Sequence, residues 1–403
     1  MAVEYGSLQF KEAIDFFRDK VNLPTKTWTD IWQGMHARAF VVAGAMQTEL
    51  LEDFRSAVDS AIADGTTLQQ FRKEFNAIVK KHGWSYNGGA GWRSRVIYDT
   101  NLRTAYQAGR YKQLTDPDLL KVRPYWRYSH SDLVAQPREQ HLAWDGLVLP
   151  HDDPFWQTHY PPNGWGCKCK VYAESERSLK RKKLKINDSP NIKYVDRKAG
   201  DKIISVPEGV DPGWSYNVGE SAWGKPLSEN AIEKYKGEWQ PLTHGSPETY
   251  SRPAKLNPIK INTKAGARLS NSATRIKAIK QVLNADEKVY MLKHKKFTYA
   301  INVNAETLGE HMQIERSPFI TMLPGLLEKP QEAWLTFEKN KVSGKVALRL
   351  RLIKLIQIDK NKSMIFVANA TRGQLEGWTF IPSSRLREIE KQRRGVLVYA
   401  DDE

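Results

Sequence analysis

Cysteine is almost absent from this chain. The 403 residues contain two cysteines, Cys167 and Cys169, separated by one residue. Cysteines this close together cannot link distant segments, so the sequence excludes a disulfide framework. Such a chain is most simply made in a reducing cytoplasm. Both cysteines follow a turn rich in proline and glycine, which suggests a local chemical or metal-binding role.

Long apolar runs are missing as well. No uncharged apolar stretch approaches the roughly 18–20 residues that a membrane-spanning helix needs, so no membrane partner is expected. The N-terminal segment MAVEYGSLQFKEAIDFF has early acidic residues and no apolar h-region, so no signal peptide is expected. A Gly-rich phosphate loop, an HExxH motif and a Gly-x-Ser-x-Gly motif are also absent from the sequence. NTPase, zincin and serine-hydrolase functions therefore have no support.

The composition is that of a packed, basic protein. Hydrophobic residues make up 40% of the chain and aromatic residues 10%, and the length predicts two to three domains. Lys and Arg number 62 against 46 Asp and Glu, which gives a net charge of +16. A basic excess favours polyanionic partners, because each phosphate that is neutralised releases counterions. The alternative is that the charge only keeps the protein soluble.

Residues 1–91 are predicted to be a helical N-terminal region. Apolar residues recur every three or four positions from Trp32 to Ile62, which is typical of one long amphipathic helix that ends at 64–65. Thr66 or Thr67 can cap a second helix, which ends at Gly83. These apolar stripes predict that both helices pack into a structural core and do not form a binding site.

Beyond a glycine-rich break, the pattern predicts a third helix over about 92–114. Three short strands are predicted next, at 122–129, 146–149 and 168–172. The basic run at 178–185 is typical of a solvated helix end, and a nucleic-acid contact is the alternative. Residues 186–270 show little periodicity and are predicted to be extended, with a linker at 221–270. The small α+β module is therefore expected within 92–220.

The composition changes after about residue 271. Helices are predicted at 272–285 and 383–392, and strands at 289–302, 345–359, 363–369, 378–381 and 395–400. The order of helix and then sheet predicts an α+β domain at 271–403. The fold class expected for the whole chain is multi-domain, mainly α at the N-terminus with a small α+β module, followed by a C-terminal α+β domain.

Histidines are concentrated just before the two cysteines. A Cys-x-Cys pair can supply two thiolates to one tetrahedral zinc, and nearby histidines can complete the coordination shell. The predicted ligands are Cys167, Cys169 and His141, with His159 or Asp145 as the fourth. The alternate ligands are His130 and His151. One alternative is two inert cysteines beside surface histidines. The other, a nucleophilic Cys–His pair, lacks an orienting third group and an oxyanion hole.

Residues 93–172 resemble the phage Mu F-like minor head protein family, also called the phage head morphogenesis family. The matching pieces are 98–110 (YDTNLRTAYQAGR), 123–128 (RPYWRY), 138–141 (REQH), 145–146 (DG), 151–156 (HDDPFW) and 159–171 (HYPPNGWGCKCKV). A further similar block lies at 211–219 (DPGWSYNVG). Residues 136–141 read QPREQH where the family more often has Arg-Pro-x-His, which shifts the spacing before His141.

This resemblance implies a minor head protein of a tailed phage or prophage that acts in head assembly. The implied partners are the phage portal and capsid proteins, and DNA near the portal vertex. The implied location is the virion, after synthesis in the host bacterial cytoplasm. The resemblance implies no reaction for the histidine and cysteine block.

Residues 271–403 resemble the phage-associated branch of the barnase, EndoU, colicin-E5/D and RelE-like nuclease superfamily. The pieces that carry this resemblance are 308–312 (LGEHM), 324–334 (PGLLEKPQEAW), 378–381 (WTFI) and 393–399 (RRGVLVY). The resemblance implies a ribonuclease-like effector that needs no cofactor and acts on host RNA.

The residues for such chemistry are present in this region. RNA cleavage without metal uses an acid/base group, which His311 can supply near neutral pH, and cations for the phosphate. The candidate phosphate-binding residues are Arg316, Arg349 and Arg351, and the candidate orienting residues are Thr379 and Tyr399. Three alternatives stay open. The first is that His311 is an ordinary helix-end histidine, and the second is that Arg349 and Arg351 lie on the exposed face of a solvated sheet. The third is that the domain only binds nucleic acid or capsid partners. A self-standing toxin is a further interpretation of the whole chain.

Overall fold

The computed structural model describes residues 9–134, 136–227, 238–242, 245–357, 361–384 and 387–401. The chain divides into two compact units, the first largely Asn22–Glu238 and the second largely Trp239–Lys339 with Ala347–Glu403. The N-terminal residues on which the signal-peptide expectation depends lie partly outside the described residues. Within the described ranges, no helix is both long and apolar enough to cross a membrane.

The first unit is mainly helical. Its helices are α1 (Lys11–Arg18), α2 (Thr48–Ala63), α3 (Leu68–His82), α4 (Ala90–Leu114), α5 (Pro117–Val122), α6 (Glu139–Ala143), α7 (Phe155–His159), α8 (Glu176–Lys182) and α9 (Val218–Trp223). The strands in this part of the chain are β1 (Val21–Asn22), β2 (Ala39–Phe40), β3 (Tyr125–Ser129), β4 (Val148–Pro150), β5 (Lys170–Glu174), β6 (Tyr194–Ala199) and β7 (Lys202–Pro207).

Helix α3 has the ends that its sequence predicts. The Thr67 side chain accepts a hydrogen bond from the Gln70 N–H, and the Gln70 side chain reaches back to the Thr67 backbone. This reciprocal capping satisfies two N–H groups that the first helical turn leaves without partners. At the other end, Gly83 adopts a left-handed conformation with φ of 56°. The predicted cap and stop are confirmed.

The prediction of one long helix from Trp32 is wrong before residue 48. This segment instead forms a short 3₁₀ turn at Gln33–Ala37 and the strand β2, and α2 begins at Thr48. Gly44 has φ of +87°, which an α-helix cannot contain. Val42 and Ala45 are buried all the same. Met46, in contrast, is 39% exposed, so the apolar spacing before residue 48 predicted neither the helix nor the burial of every apolar side chain.

A small antiparallel sheet of order β4-β3-β5 lies at the centre of the first unit. In its register Tyr128 pairs with Val171 and Ser129 with Lys170. The three predicted strands are confirmed, with ends shifted by one to three residues. An aromatic core packs against them, in which the Trp126 ring lies 5.7 Å from Trp156 and 5.8 Å from Tyr160. This core fixes the sheet that carries the residues before and after the cysteines.

The sequence predicted an extended segment over residues 186–270, but the described residues 186–227 also form regular structure. They include the hairpin of β6 and β7, which turns at Gly200 with φ of +61°, and the helix α9. Most of the hairpin side chains are exposed, so no apolar alternation marked it. Asn217 caps α9 by accepting hydrogen bonds from the N–H groups of Gly219 and Glu220. Of the expected linker, residues 228–237 and 243–244 lie outside the described residues.

The second unit is built on one large sheet. Its strands are β8 (Trp239–Pro241), β9 (Ile259–Lys260), β10 (Glu287–His294), β11 (Phe297–Asn304), β12 (Glu332–Asn340), β13 (Val346–Gln357), β14 (Asn361–Thr371), β15 (Gln374–Ser383) and β16 (Val396–Ala400). Its helices are α10 (Ser272–Leu283), α11 (Ala305–His311), α12 (Leu323–Glu328) and α13 (Arg387–Gln392), with a 3₁₀ segment at Ile314–Met322. The main strand order is β10-β11-β15-β14-β13-β12-β16.

The multi-domain α+β class expected from the sequence is confirmed by this architecture. Strands β11 and β15 are parallel, whereas β13, β14 and β15 form an antiparallel meander. The short strands β8 and β9, from the expected linker, pair with β12 and β13. The expected boundaries after residues 91, 220 and 270 stay predictions. Residues 358–359 of one predicted strand and 385–386 of the last predicted helix lie outside the described residues.

Strand β12 was not predicted. Eight of its nine residues are buried, including Glu332 and Glu338. The predicted single strand at 289–302 is a hairpin of β10 and β11. The two differences have separate causes. A strand covered on both faces, such as β12, has no polar–apolar alternation. The hairpin turn at Lys295 contains no glycine, only a residue with φ of 53°.

Candidate functional sites

The two cysteines are fixed by a tight turn before β5. The Cys167 N–H donates a hydrogen bond to the Gly164 carbonyl at 3.1 Å, and Gly166 has φ of +72°. Cys167 and Cys169 are two positions apart at the entrance to a strand, so their side chains point to the same side. Both are buried, at 3% and 2% exposure. The turn therefore presents two sulfurs to one point inside the protein.

His141 on α6 faces these sulfurs. Its Nε2 lies 2.9 Å from the Gly209 carbonyl, which can only accept, so Nε2 carries the proton. Nδ1 then has a lone pair, and it lies 3.9 Å from the Cys167 Sγ and 3.6 Å from the Cys169 Sγ. The ligand atoms of these three buried residues all lie within 4.8 Å of one another.

His130 approaches from the opposite strand. Its Nδ1 lies 3.6 Å from the Cys169 Sγ. The β3–β5 register pairs Ser129 with Lys170, and one further step places His130 opposite Cys169. The His130 N–H donates to the Asp145 carboxylate at 2.8 Å. Asp145, one of the two predicted fourth ligands, therefore holds the backbone of a histidine. We call His130, His141, Cys167 and Cys169 the Cys–His cluster.

His159, the other predicted fourth ligand, has different contacts. Its ring stacks on Phe155 with centroids 4.3 Å apart, and its Nδ1 lies 2.9 Å from the Thr158 hydroxyl. Burial lowers the pKa of His159 to about 4, so the ring is neutral. His151 has its Nδ1 3.2 Å from the Pro124 carbonyl. The structure groups neither histidine with the sulfurs.

The two thiols of the Cys–His cluster are unequal. A hydrogen bond from Cys169 holds the pKa of Cys167 well below its usual range, and the Asn163 backbone N–H also lowers it. The pKa of Cys169 is raised by the same hydrogen bond and by burial. The arrangement places two unequal, buried thiols beside the imidazoles of His141 and His130. A nucleophile would need substrate access, which burial of both sulfurs denies.

Residues 209–211 form hydrogen bonds with α6 and with the turn that carries the cysteines. Asp211 accepts hydrogen bonds from Arg138 at 2.5 Å and from the Trp165 N–H at 2.9 Å. Together with the bond from His141 to Gly209, these contacts connect α6, the cysteine turn and residues 209–211. The sequence block at 211–219 thus lies against the histidine and cysteine block.

A second candidate site lies in the C-terminal unit. His311 is the last residue of α11 and is exposed. Its Nδ1 lies 2.7 Å from the Thr307 carbonyl and so carries the proton, which leaves the Nε2 lone pair to act as a base. The Trp378 ring lies against the imidazole with centroids 3.8 Å apart. Trp378 itself is 41% exposed.

A β-bulge sets the position of Trp378 and Thr379. On β15 the register with β14 shifts between Val367 and Ala368, so that Val367 pairs with Thr379 and Ala368 pairs with Gly377. Trp378 is the extra residue. A bulge of this kind turns two neighbouring side chains toward one side of a sheet, and such bulges are frequent beside active sites.

Arg316 completes this group. Its Nη1 donates to the Thr379 hydroxyl at 3.0 Å and to the Phe380 carbonyl at 3.5 Å. Burial lowers the pKa of Arg316 from its usual value, and the guanidinium stays charged at neutral pH. We call His311, Arg316, Trp378 and Thr379 the His311 site. It combines a base, a cation, a hydroxyl and an exposed aromatic ring.

The other predicted residues lie apart from this group. Arg349 and Arg351 point to the same side of β13, as expected, but both pair with Glu338, at 2.8 Å and 2.6 Å. The register runs from Arg351 through Val367 to Thr379, so two strand spacings, about 10 Å, separate Arg351 from Thr379.

Tyr399 lies on β16, at the other end of the strand order. Its ring lies 6.0 Å from the ring of His294 on β10, so the two edge strands of the sheet approach one another. Burial raises the pKa of Tyr399. The structure thus brings His311, Arg316 and Thr379 together and places Arg349, Arg351 and Tyr399 elsewhere.

The sequence analysis did not predict Trp378 as a site residue or Glu338 as the partner of the two arginines. Trp378 was noted as part of a strand and of the WTFI piece at 378–381, and its signal was an aromatic residue next to a candidate polar one. Glu338 gave no signal, because its strand was not predicted and its partner Arg351 is 13 positions away.

The two resemblances agree with comparisons to known proteins. Residues 52–172 match the family model described as Phage Mu protein F like protein. Residues 277–400 match the model described as phage-Barnase-EndoU-ColicinE5/D-RelE like nuclease2. The Cys–His cluster lies in the first matched segment and the His311 site in the second. The chain therefore carries a Mu F-like segment followed by a nuclease-like segment, as the sequence predicted.

Two curated proteins are similar to about half of this chain. One is the Mu-like prophage FluMu F protein of Haemophilus influenzae, 37% identical over 51% of this chain. The other is the putative capsid assembly protein F of Escherichia phage Mu, 33% identical over 53% of this chain. The chain spans about half the length of these relatives, 55% of each. No solved structure is significantly similar to it.

Proposed function

We propose that this protein acts in phage head assembly and carries a C-terminal domain that cleaves RNA without a metal ion. The first part is supported by similarity to F proteins, one of them named as a putative capsid assembly protein. The second part is supported by the nuclease-like match. The observation that carries it is the His311 site, in which the imidazole lies against the exposed Trp378 indole and the adjacent Thr379 holds the Arg316 guanidinium.

In this proposal His311 is the general base. Its Nε2 takes the proton of a ribose 2′-hydroxyl, and the 2′-oxygen attacks the adjacent phosphorus. The bond from phosphorus to the 5′-oxygen breaks, and that oxygen leaves with a proton from water. The products are a 2′,3′-cyclic phosphate and a 5′-hydroxyl end. No redox change or cofactor is needed.

Arg316 and Trp378 supply binding. Arg316 is held by Thr379, and its remaining N–H groups stabilise the charge that develops on the phosphate oxygens. Trp378 offers a face on which a base stacks next to the imidazole. Host RNA is the proposed substrate, reached when the protein enters the cell with phage DNA.

For the head, we propose the portal and capsid proteins as partners, a place near the DNA entry vertex, and synthesis in the host bacterial cytoplasm. The net charge of +16 is consistent with packaged DNA nearby. Mass spectrometry of purified particles tests this part of the proposal. We expect a few copies per virion, and absence of the protein from complete heads would contradict an assembly role inside the particle.

A second candidate function is binding without cleavage. It is favoured by the ion pairs that Arg349 and Arg351 form with Glu338. Of the three predicted phosphate-binding arginines, Arg316 is then the one that provides a positive charge in the His311 site. A stacked base and one cation are sufficient to bind single-stranded nucleic acid.

RNA cleavage by the full-length protein separates the two functions. We would follow a labelled single-stranded RNA without added divalent metal, for the wild type and for His311→Ala. His294→Ala is the matched control, a histidine of the same unit that faces Tyr399. We expect cleavage by the wild type and the control, and a loss of about 100-fold or more in His311→Ala. Salt-sensitive binding with no cleavage by folded wild type would favour the second function.

A further inference from the structure

The Cys–His cluster has the dimensions of a metal site. A tetrahedral zinc has Zn–S bonds of about 2.3 Å and Zn–N bonds of about 2.0 Å, so its ligand atoms are about 3.5–3.8 Å apart. The Nδ1 of His141 lies 3.6 Å from one sulfur and 3.9 Å from the other, and the Nδ1 of His130 lies 3.6 Å from Cys169. These three distances are close to the edges of such a tetrahedron, and the ligand atoms of His141, Cys167 and Cys169 all lie within 4.8 Å of one another, a group that does not include His130.

We propose that Cys167, Cys169, His141 and His130 bind one structural zinc ion. This inference is independent of the proposed RNA cleavage. Two thiolates and two imidazoles in a tetrahedral arrangement are a donor set that zinc prefers, whereas magnesium and calcium prefer oxygen ligands. His130 stands outside the tight group of three ligands and closes the shell from the opposite strand when the metal binds.

Supporting contacts of the kind found around zinc ligands are present. His141 donates its other ring N–H to the Gly209 carbonyl, which fixes the tautomer that presents Nδ1 to the metal. Asp145 holds the His130 backbone next to the site. Each histidine is therefore positioned by a contact that does not use its ligand atom.

The position of the site indicates what the metal does. Its ligands come from the residue after β3, from the helix α6 and from the turn before β5. All four coordination positions are occupied by protein side chains, which is the pattern of structural rather than catalytic zinc. The metal would hold α6 against the sheet and, through Gly209, position the 209–211 segment.

The histidines outside the site provide matched controls. His159→Phe removes both ring nitrogens but keeps an aromatic ring for stacking on Phe155. His151→Ala removes a half-buried histidine from the same part of the chain. Neither substitution changes a proposed ligand, so both variants should keep the metal.

The test is elemental analysis of the full-length protein purified in the presence of zinc. We expect one zinc per chain in the wild type, His159→Phe and His151→Ala, and no stoichiometric zinc in Cys167→Ser or Cys169→Ser. In His130→Ala, competition with a chromophoric chelator should show a zinc affinity that is lower by at least about 10- to 100-fold. Loss of a residue that only supports a ligand already lowers metal affinity by this factor.

Cobalt(II) replacement tests the site without any substitution, so it does not depend on whether the cysteine variants fold. We expect a thiolate-to-cobalt charge-transfer band and the visible bands of tetrahedral cobalt. Folded wild type that binds neither zinc nor cobalt would overturn the proposal. Retention of full affinity in His130→Ala, with loss in His159→Phe, would overturn the assignment of the fourth ligand.

Discussion

Arg393 and Glu332 form a two-point ion pair in which neither side chain is exposed. The Arg393 Nε lies 2.6 Å from one carboxylate oxygen and Nη2 lies 2.7 Å from the other. Arg393 also donates to the carbonyls of Pro253 and Ala254, and Trp334 donates its indole N–H to Glu332 at 2.8 Å. One arginine therefore joins β12 to the segment between β8 and β9.

We predict that Arg393→Met destabilises the C-terminal unit by about 3–5 kcal/mol, because it leaves the Glu332 carboxylate buried with fewer hydrogen bonds. Urea unfolding followed by tryptophan fluorescence measures this, since Trp334 contacts the same carboxylate. Arg394→Met is the control, an exposed neighbour. Equal effects of the two substitutions would show that the ion pair is not what stabilises this unit.

Arg316 and Arg349 should differ in their effect on RNA cleavage. We expect Arg316→Ala to lower kcat/KM by about 100-fold or more, because its guanidinium lies beside Thr379 in the His311 site. Arg349→Ala should change it by less than about 3-fold, since Glu338 already neutralises Arg349. The measurement is the cleavage rate of a labelled RNA. A large loss in Arg349→Ala alone would move the site toward β13.

Trp378→Ala should weaken RNA binding more than it slows cleavage. Stacking of a base on an aromatic ring contributes about 1–3 kcal/mol, so we expect KM to rise about 5- to 150-fold with a smaller change in kcat. Trp165→Ala provides the control, because Trp165 is similarly exposed but lies in the other unit. An unchanged KM in Trp378→Ala would exclude the indole as a binding surface.

The stability of the N-terminal unit should fall in acid through Glu174. Burial alone would raise the pKa of this carboxyl, but hydrogen bonds from Lys182, Ser178 and Arg127 outweigh it and lower the pKa to about 2. The folded protein therefore holds the charged form more strongly than the unfolded chain does. Its contribution is complete above the ordinary carboxyl pKa of about 4.5 and is lost as the pH falls toward 2.

Glu174→Gln removes that contribution. At pH 7 we expect a lower free energy of unfolding by about 1–3 kcal/mol, because Arg127 and Lys182 lose their shared partner. The difference from wild type should shrink between pH 4.5 and pH 2, measured by denaturant unfolding at each pH. A difference that stays constant over this range would mean that the charge of Glu174 is not responsible.

Local sequence signals were sufficient for elements whose ends depend on neighbouring residues. The ends of α3 are defined by contacts within a few positions, and the sequence predicted a cap at Thr66 or Thr67 and an end at Gly83. The 3₁₀ turn and strand before Thr48 were not, since their apolar spacing is compatible with a helix and only packing decides between the two.

The candidate sites show the same division. The Cys-x-Cys spacing and the concentration of histidines indicated a ligand set, but four histidines lie in the 40 residues before Cys167. The register of β3 with β5 places His130 opposite Cys169, while stacking on Phe155 holds His159 away. Sequence distance carries no information on that choice.

The sequence alone determined that this chain has a basic, multi-domain α+β architecture, with a Mu F-like segment, a nuclease-like segment and a local pair of cysteines. Tertiary structure decided which histidines face the sulfurs, that Glu338 neutralises Arg349 and Arg351, and that a bulge brings Trp378 and Thr379 to His311 and Arg316. The physical reason is that composition and short-range spacing act through neighbours in the chain, whereas strand register and burial join residues that are far apart in sequence.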